Sequence, residues 1–404
     1  MKNNNEPKLR YPEFTDAWEK CKLGEIATIN PKSTLPQTFN YVDLESVVGT
    51  EMRSYKIEKL YSAPSRAQRL AKYGDIFYQT VRPYQKNNYL FELDDENYVF
   101  STGYAQIRSK IYPYFLFTLI QNDRFVNEVL DNCTGTSYPA INATDLKNIT
   151  IFISNNPTEQ QKIGNLFKQL DRLITLHKRK WDDVILLKKA LLQKMFPKNG
   201  SDFPALRFPE FTDAWEKCKL GKSFKIKRGL TYKPENIVTN GGIRVLRSSN
   251  IDEDTFQLKD DDVFVSRESI NIDFVENLDI LITSANGSSR LVGKHAIIQH
   301  IDNEMVHGGF MLLGKSKEPF FINALLSAPW YEKFINKNVS GGNGAIGNLK
   351  AKDLENAVIS IPTLPEQQKI GNLFKQLDRL ITLHKRQHEH YQLLKKALLQ
   401  QMFV

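Results

Sequence analysis

The sequence lacks long apolar runs. The longest ones, such as Phe-Leu-Phe and Val-Ile-Leu-Leu, are far too short for a membrane span, and the N-terminal stretch lacks the apolar core of a signal peptide. Cysteine is also scarce, with only Cys21, Cys133 and Cys218 and no C-x-x-C pair. We therefore expect a cytoplasmic protein without a membrane partner, whose thiols are reduced and structural rather than disulfide-bonded or zinc-bound.

Catalytic motifs are absent as well. The sequence contains no G-x-S-x-G, no H-E-x-x-H, no paired-carboxylate pattern and no Asn-Pro-Pro-Tyr motif of an amino-methyltransferase. His384, His388 and His390 lie close together in the second copy of a repeat described below. The first copy has only His177, so a metal site would be present in one copy and missing from the other. The sequence argues against catalysis and against a metal site in this chain.

One motif match points the other way. Gly309–Ser316, "GFMLLGKS", satisfies the phosphate-binding pattern G-x-x-x-x-G-K-[ST]. A phosphate-binding loop needs small or polar residues, whereas Phe310, Met311, Leu312 and Leu313 predict a buried strand. The corresponding stretch of the first half, "GYAQIRSK", lacks the second glycine and the Gly-Lys-Ser. A nucleotide enzyme built on this motif is one alternative to the function argued below, and a coiled-coil scaffold with two protein-binding heads is another.

The composition is that of a soluble globular protein with two domains, since 404 residues are 41% hydrophobic and 25% charged. The net charge of +9 favours a polyanionic partner. Residues 157–196 hold nine Lys and Arg against four Asp and Glu, and residues 365–404 hold seven against three. These two segments, at +5 and +4, carry the whole net charge.

The sequence contains an internal repeat. Arg10–Gly24 and Arg207–Gly221 agree at 14 of 15 positions. Glu159–Arg179 and Glu366–Arg386 are identical over 21 residues, and the match extends to 31 of 38 positions when each copy is continued to its Met-Phe pair. Between the repeats only a faint skeleton survives, such as "GDIFYQT" beside "LDILITS" and "DLKNITIFI" beside "DLENAVISI". This pattern indicates one fold with two different surfaces.

The long repeats predict helices. Asn156-x-x-Glu159 and Thr363-x-x-Glu366 have the form of a capping box, and each helix of 38 residues would be about 57 Å long. Apolar residues follow at three-four spacing: Ile163, Leu166, Phe167, Leu170, Leu173, Ile174, His177, Trp181 and Val184 in the first copy, and Ile370, Leu373, Phe374, Leu377, Leu380, Ile381 and His384 in the second. We expect the two stripes to pair as an antiparallel coiled coil, with the two domains at opposite ends.

The segments between the helices, 25–156 and 222–362, contain short β-like runs and a few helices, which predicts mixed α/β domains. The fold class is therefore α/β, with two similar globular domains separated by two long helices in a pseudo-two-fold repeat. The predicted boundaries are 1–156 for the first domain, 157–197 for the first helix, 198–362 for the second domain and 363–404 for the second helix.

Two divergent domains alternate with two conserved helices, and the chain carries the motifs "FTDAWEKCKLG", "EQQKIGNLFKQLDRLI" and "LLKKALLQ". In both respects it resembles the specificity (S) subunit of type I restriction-modification enzymes over essentially its whole length. The resemblance implies that each variable domain is a target recognition domain for double-stranded DNA. It also implies partners, namely two modification (methyltransferase) subunits and restriction (translocase and nuclease) subunits. No cofactor is then expected in this chain, because S-adenosylmethionine, ATP and Mg²⁺ belong to those partners.

An antiparallel helix pair has the two-fold character of duplex DNA, so two unlike domains should read two unlike half-sites on opposite strands, roughly 34 Å apart. Base reading favours Arg or Lys for guanine, Asn or Gln for adenine, and Ser or Thr for either. Two polar loops in each half have this composition. Their candidate DNA-binding residues are Arg82, Tyr84, Gln85, Lys86, Asn87, Ser137, Tyr138 and Asn142 in the first half, and Ser284, Asn286, Ser288, Arg290, Asn343 and Asn348 in the second.

Arg66 and Arg69, or Arg244 and Arg247, are candidates for binding phosphates. Any one of these residues could equally belong to an ordinary polar turn, because Gly, Asn and Ser dominate turns. The basic helices leave three interpretations open: a solvated face, contact with DNA phosphates, or docking of the modification subunits. The leucines at the helix ends favour docking, and the candidate partner-binding residues are Leu187, Leu191, Leu394 and Leu398.

Overall fold

The computed structural model describes residues 6–135, 137–198, 201–339 and 347–404. These residues form two compact units. Unit 1 comprises the chain up to Lys178 together with Lys385–Val404, and unit 2 comprises Arg179–His384. No helix among the described residues combines the length and the apolar character needed to cross a membrane.

Unit 1 is a mixed α/β structure. Its strands are β1 (Glu19–Lys22), β2 (Ala27–Ile29), β3 (Thr38–Val42), β4 (Val47–Val48), β5 (Glu51–Met52), β6 (Lys56–Lys59), β7 (Ala67–Leu70), β8 (Asp75–Gln79), β9 (Tyr89–Leu90), β10 (Tyr98–Ser101), β11 (Tyr104–Ser109) and β12 (Thr150–Ile153). Its helices are α1 (Leu23–Ile26), α2 (Pro113–Leu119), α3 (Asp123–Asp131), α4 (Ala143–Asn148) and the first part of α5 (Pro157–Lys194), which continues into unit 2.

Unit 2 has the same class of structure. Its strands are β13 (Glu216–Lys219), β14 (Lys225–Arg228), β15 (Ile243–Leu246), β16 (Ile251–Asp252), β17 (Thr255–Phe256), β18 (Val263–Val265), β19 (Ile280–Thr283), β20 (Ala285–Asn286), β21 (His295–Ile297), β22 (Met305–His307), β23 (Met311–Lys315), β24 (Gly347–Asn348) and β25 (Val358–Ile361). Its helices are α6 (Pro319–Leu326), α7 (Pro329–Asn338), α8 (Ala351–Glu355) and the first part of α9 (Leu364–Met402), which ends in unit 1.

The two units share a topology. Unit 1 has an antiparallel sheet in the order β2-β11-β8-β9, and unit 2 has the matching order β14-β23-β19-β21. A second sheet contains the parallel pair β3 and β10 in unit 1, matched by the parallel pair β15 and β22 in unit 2. A third pair, β1 with β12, corresponds to β13 with β25. The expectation of one fold used twice is confirmed, and the mixed α/β class with it.

The long helices pair antiparallel within each unit. In unit 1, Asp171 of α5 forms an ion pair with Lys395 of α9, and the rings of His177 and Tyr391 stack at 5.5 Å between centroids. In unit 2, Lys188 of α5 lies 2.8 Å from Asp378 of α9. Asp378 and Lys395 are the repeat equivalents of Asp171 and Lys188. The two helix-to-helix ion pairs are therefore equivalent, one in each unit.

The repeated opening motif anchors the start of each long helix. The Arg10 guanidinium binds the Glu159 carboxylate with N···O distances of 2.6 and 2.9 Å, and Arg207 binds Glu366 at 2.7 and 2.8 Å. Both glutamates are fully buried. The capping-box prediction is therefore only half right, because Asn156 does cap α5 but Glu159 turns to the arginine and to Ser154 instead of the cap amide.

The end of each long helix completes a core. Phe403, just past the end of α9, packs in unit 1 against Trp18 and Phe167, with ring centroids 5.9 and 5.8 Å away. Phe196, the equivalent residue just past α5, packs in unit 2 against Trp215 and Phe374, each at 6.0 Å. Each core thus contains the opening motif, the start of one long helix and the end of the other.

Unit 2 should lose stability in acid because of His307. This side chain is buried on β22, and burial lowers its pKa from 6.5 to about 4. Between these values the unfolded chain binds a proton that the folded chain rejects, so the free energy of unfolding falls as pH falls from about 6.5 to 4. We expect His307 alone to lower the free energy of unfolding by about 2 kcal/mol between pH 7 and pH 5, measured by urea denaturation.

His307→Gln should remove this part of the pH dependence. His300→Gln, at an exposed position of the same unit, serves as the control and should leave it unchanged. Equal acid losses in the wild type and His307→Gln would contradict the assignment.

Candidate nucleic-acid interface

The structure brings the two predicted loops of unit 1, Thr80–Asn88 and Thr134–Asn142, into contact. The first loop follows β8, and the second leads into α4. Their backbones are joined by hydrogen bonds from the Arg82 N–H to the Pro139 oxygen (2.8 Å) and from the Ile141 N–H to the Thr80 oxygen (3.1 Å), and by a bridge between Val81 and Ala140. Two segments far apart in the chain therefore form one polar surface.

Arg82 and Tyr138 form the centre of this surface. The Arg82 guanidinium carbon lies 4.2 Å from the centroid of the Tyr138 ring, and 63% of Tyr138 is exposed. The backbone of Arg82 has a φ of +56°, a left-handed conformation that costs a residue other than glycine about 1–2 kcal/mol. Stacking on the ring restricts the guanidinium plane, and such a restricted fork suits bidentate contact with an acceptor pair.

Other candidates in these loops are held by contacts inside the unit. Lys86 forms an ion pair with Asp123, and its ammonium donates to the Gln121 oxygen at 2.9 Å. Asn87 accepts a hydrogen bond from the Gly49 N–H at 2.8 Å. These groups shape the loop, and a direct DNA contact by either one stays a prediction that has lost support.

Two further loop residues also have local roles. Gln85 accepts a hydrogen bond from Gln79 Nε2 at 2.9 Å, and Asn142 caps α4 by accepting from the Thr144 and Asp145 N–H groups, both at 2.9 Å. In contrast, Tyr84, Ser137 and Tyr138 present exposed side chains. The accessible polar surface of the loop pair is therefore smaller than its composition suggests.

Unit 2 forms the same kind of contact. β20 pairs with β24, and the buried Ser284 hydroxyl donates to the Leu349 oxygen at 2.9 Å. Asn286 donates to the Ser248 hydroxyl at 3.0 Å, and Asn348 lies exposed on β24. Ser284 is thereby committed to joining the two segments rather than to an outside ligand.

The remaining candidates of this loop pair divide into two groups. Ser288 and Arg290 are exposed beyond β20. Asn343 lies outside the described residues.

The arginines proposed for phosphates differ from one another. Arg66 is exposed, whereas Arg69 on β7 is partly buried, and burial lowers the pKa of its guanidinium. Arg244 on β15 forms an ion pair with the buried carboxylate of Asp262 and donates to the Lys259 oxygen at 2.9 Å.

Arg247 donates to the Asp261 oxygen at 2.8 Å. These internal contacts engage the guanidinium groups of Arg244 and Arg247 and speak against a phosphate role for them. The phosphate contacts of all four arginines stay predictions.

The apparent nucleotide motif is part of a sheet. β23, Met311–Lys315, lies between β14 and β19, and its backbone pairs with both strands. A Cβ added to Gly314 would lie 1.9 Å from the Phe224 ring, so this glycine serves close packing. Lys315 lies 2.9 Å from Glu276. A strand with paired amides and a committed lysine is not a phosphate-binding loop.

Sequence reasoning missed Phe310. The residue was assigned to the buried strand, but β23 begins at Met311, and 68% of Phe310 is exposed at the turn before it. Its backbone oxygen accepts hydrogen bonds from Ser284 and Ala285, so the turn lies beside the loop pair of unit 2. The two glycines that precede it, Gly308 and Gly309, were the available sign of a turn.

The leucines proposed for partner binding also differ from one another. Leu187 and Leu394 are exposed to 50% and 36%. Leu191 packs partly buried against the core of unit 2, and Leu398 does so in unit 1. The chain itself covers much of these last two residues, and the adjacent Leu186 and Leu393, at 64% and 69% exposed, are better placed for a partner.

The cysteines have the properties of structural thiols. All three lie among the described residues and are free. Burial raises the pKa of Cys21 to about 11 and also raises the pKa of Cys133 and Cys218. They are therefore protonated at neutral pH and poor nucleophiles.

The chain is similar to known proteins over most of its length. The family model described as "Type I restriction modification DNA specificity domain" matches residues 15–185 and again 212–390. The MjaVIII specificity subunit of a type I restriction enzyme from Methanocaldococcus jannaschii is 22% identical over 71% of this chain and 68% of its own length.

The EcoKI specificity subunit of a type I restriction enzyme from Escherichia coli K12 is 29% identical over 41% of this chain and 37% of its own length. The crystal structure of a type I restriction-modification system S subunit from M. genitalium superposes with a TM-score of 0.62, at 16% identity and with 99% of both chains covered. This last likeness supports the fold.

Proposed function

Because the chain belongs to the type I restriction modification DNA specificity family, whose model it matches twice, we propose that it is the sequence-specificity subunit of a type I restriction-modification complex. It recognises DNA and does not catalyse a reaction. Each unit reads one half of a bipartite target, and the two halves differ because the loop residues of the two units differ.

One observation carries this proposal. In both units the same pair of segments meets just past the equivalent central strand, β8 in unit 1 and β19 in unit 2, through the Val81–Ala140 bridge in unit 1 and the β20–β24 pair in unit 2. The scaffold is constant, while the side chains it presents are Arg82 and Tyr138 in one unit and Asn286 and Asn348 in the other. A shared scaffold with different hydrogen-bonding groups is what two unlike base sequences require.

The long helices serve the partners in this proposal. Leu186 and Leu187 of α5 are exposed, as are their repeat equivalents Leu393 and Leu394 of α9. A repeated apolar pair offers two equivalent docking sites, one for each of two modification subunits. S-adenosylmethionine, ATP and Mg²⁺ are then bound by the modification and restriction subunits, and the DNA gap between half-sites is set by the helices.

Exchanging one variable segment should change one half of the target. We expect a chain whose residues 25–156 come from another family member to direct methylation to a site with one new half and one unchanged half. Single-molecule sequencing of DNA from cells that carry the chain and its modification subunits measures this directly. Exchange of residues 222–362 is the matched control and should change the other half. A swap that altered both halves, or neither, would contradict the proposal.

Arg82 should recognise a guanine in the half-site of unit 1. In Arg82→Lys the charge stays but the planar fork is lost, so we expect the complex with its modification subunits to bind the target at least tenfold more weakly. Replacing that guanine by 7-deazaguanine should weaken the wild type but cause little further loss in Arg82→Lys. Arg66→Lys, at an exposed position of the same unit, is the control. Equal sensitivity of wild type and Arg82→Lys to 7-deazaguanine would rule out this contact.

A further inference from the structure

Phe310 is a large apolar side chain in an unusual place. It is 68% exposed, while the three residues that follow it, Met311, Leu312 and Leu313, are buried. The segment Gly308–Phe310 forms the turn between β22 and β23. The ring thus projects from the end of a sheet and takes no part in the core that begins one residue later.

The position has a clear counterpart in unit 1. Strand register pairs Thr283 with Met311 in unit 2 and Gln79 with Tyr104 in unit 1. One residue further on, the Ser284 N–H donates to the Phe310 oxygen at 2.9 Å, just as the Thr80 N–H donates to the Gly103 oxygen at 2.9 Å. Phe310 therefore occupies the place where unit 1 has a glycine without a side chain.

The backbone fixes this turn to the candidate interface. The Phe310 oxygen also accepts from the Ala285 N–H at 3.1 Å, and Ala285 belongs to β20, which pairs with β24. On the other side, Arg228 of β14 is exposed and lies in register with Leu312. The turn that carries the ring is therefore joined through its backbone to the loop pair of unit 2, and the positive charge of Arg228, suited to a phosphate, lies on the adjacent strand.

The chemistry of the ring limits what it can recognise. Phe has no hydrogen-bonding atom, so it cannot read the donors and acceptors of a base edge. The apolar group that base edges offer in the major groove is the C5-methyl group of thymine, which phenylalanine contacts in protein–DNA complexes.

We propose that Phe310 is a specificity-determining residue that packs against the C5-methyl group of a thymine in the half-site read by unit 2. The inference rests on the proposed function, and it deepens it by naming the base. It also gives a physical reason why the two units differ, since Gly103 offers unit 1 no such contact.

The test uses the complex of the full chain with its modification subunits and duplexes that carry the mapped target. The half-site read by unit 2 is the one that changes when residues 222–362 are exchanged. Each of its thymines is replaced in turn by deoxyuridine, which lacks only the methyl group. For one thymine we expect binding by the wild type to weaken about fourfold, the effect of losing one buried methyl group. Phe310→Ala should bind the thymine duplex at least as weakly, and deoxyuridine should cause it no further loss.

The control is Phe203→Ala, which removes an exposed phenylalanine of unit 2 that lies outside the loop pair. It should keep the full sensitivity to deoxyuridine. In the opposite outcome, Phe310→Ala weakens binding of the thymine and deoxyuridine duplexes equally, so that the fourfold difference between them persists. The ring would then act elsewhere, for example as a wedge between base pairs, and the inference would be overturned. A half-site without thymine would overturn it too.

These outcomes separate the inference from the proposed function. A complex that discriminates its bipartite target but ignores the thymine methyl group overturns the inference alone. A complex without any sequence preference overturns both.

Discussion

The ion pair between Asp171 and Lys395, and its equivalent between Asp378 and Lys188, connects the start of one long helix to the end of the other in each unit. Lys188 is buried, and burial alone would lower its pKa, but the nearby Asp378 and Asp254 outweigh that effect and raise it. Removing one partner of a fully buried pair typically costs about 3–5 kcal/mol, and the cost is smaller here because the Asp378 side chain is 37% exposed. The repeated helices therefore contribute to the interior of each unit, and their ion-pairing residues cannot vary freely.

This constraint explains why some segments of the sequence are repeated and others are not. Glu159 and Glu366 are buried and need Arg10 and Arg207, so the opening motif must accompany every helix start. Phe196 and Phe403 fill the cores beside the tryptophans of that motif. In the loops at the end of each central sheet some side chains, such as Ser284 and Asn142, also have structural roles. The exposed ones, such as Ser137 and Arg290, are free to differ between the two units.

The sequence predicted the repeat, the long helices and the shared skeleton because these depend on local periodicity and on identity between copies. Contacts between distant segments were beyond it. Nothing local indicates that Arg82 stacks on Tyr138, or that Arg244 forms an ion pair with Asp262. Phe310 was misread for a related reason, since hydrophobicity suggests burial, whereas the strand register shows that the core begins at Met311.

A single map of methylated bases in the genome of cells that carry this chain and its modification subunits tests the central claim most directly. We expect methylation at one bipartite sequence with two unlike parts separated by a constant unread gap, since two different loop pairs are presented by one repeated scaffold. Methylation without sequence preference, or at one uninterrupted or perfectly symmetric sequence, would contradict the claim that each unit reads its own half-site.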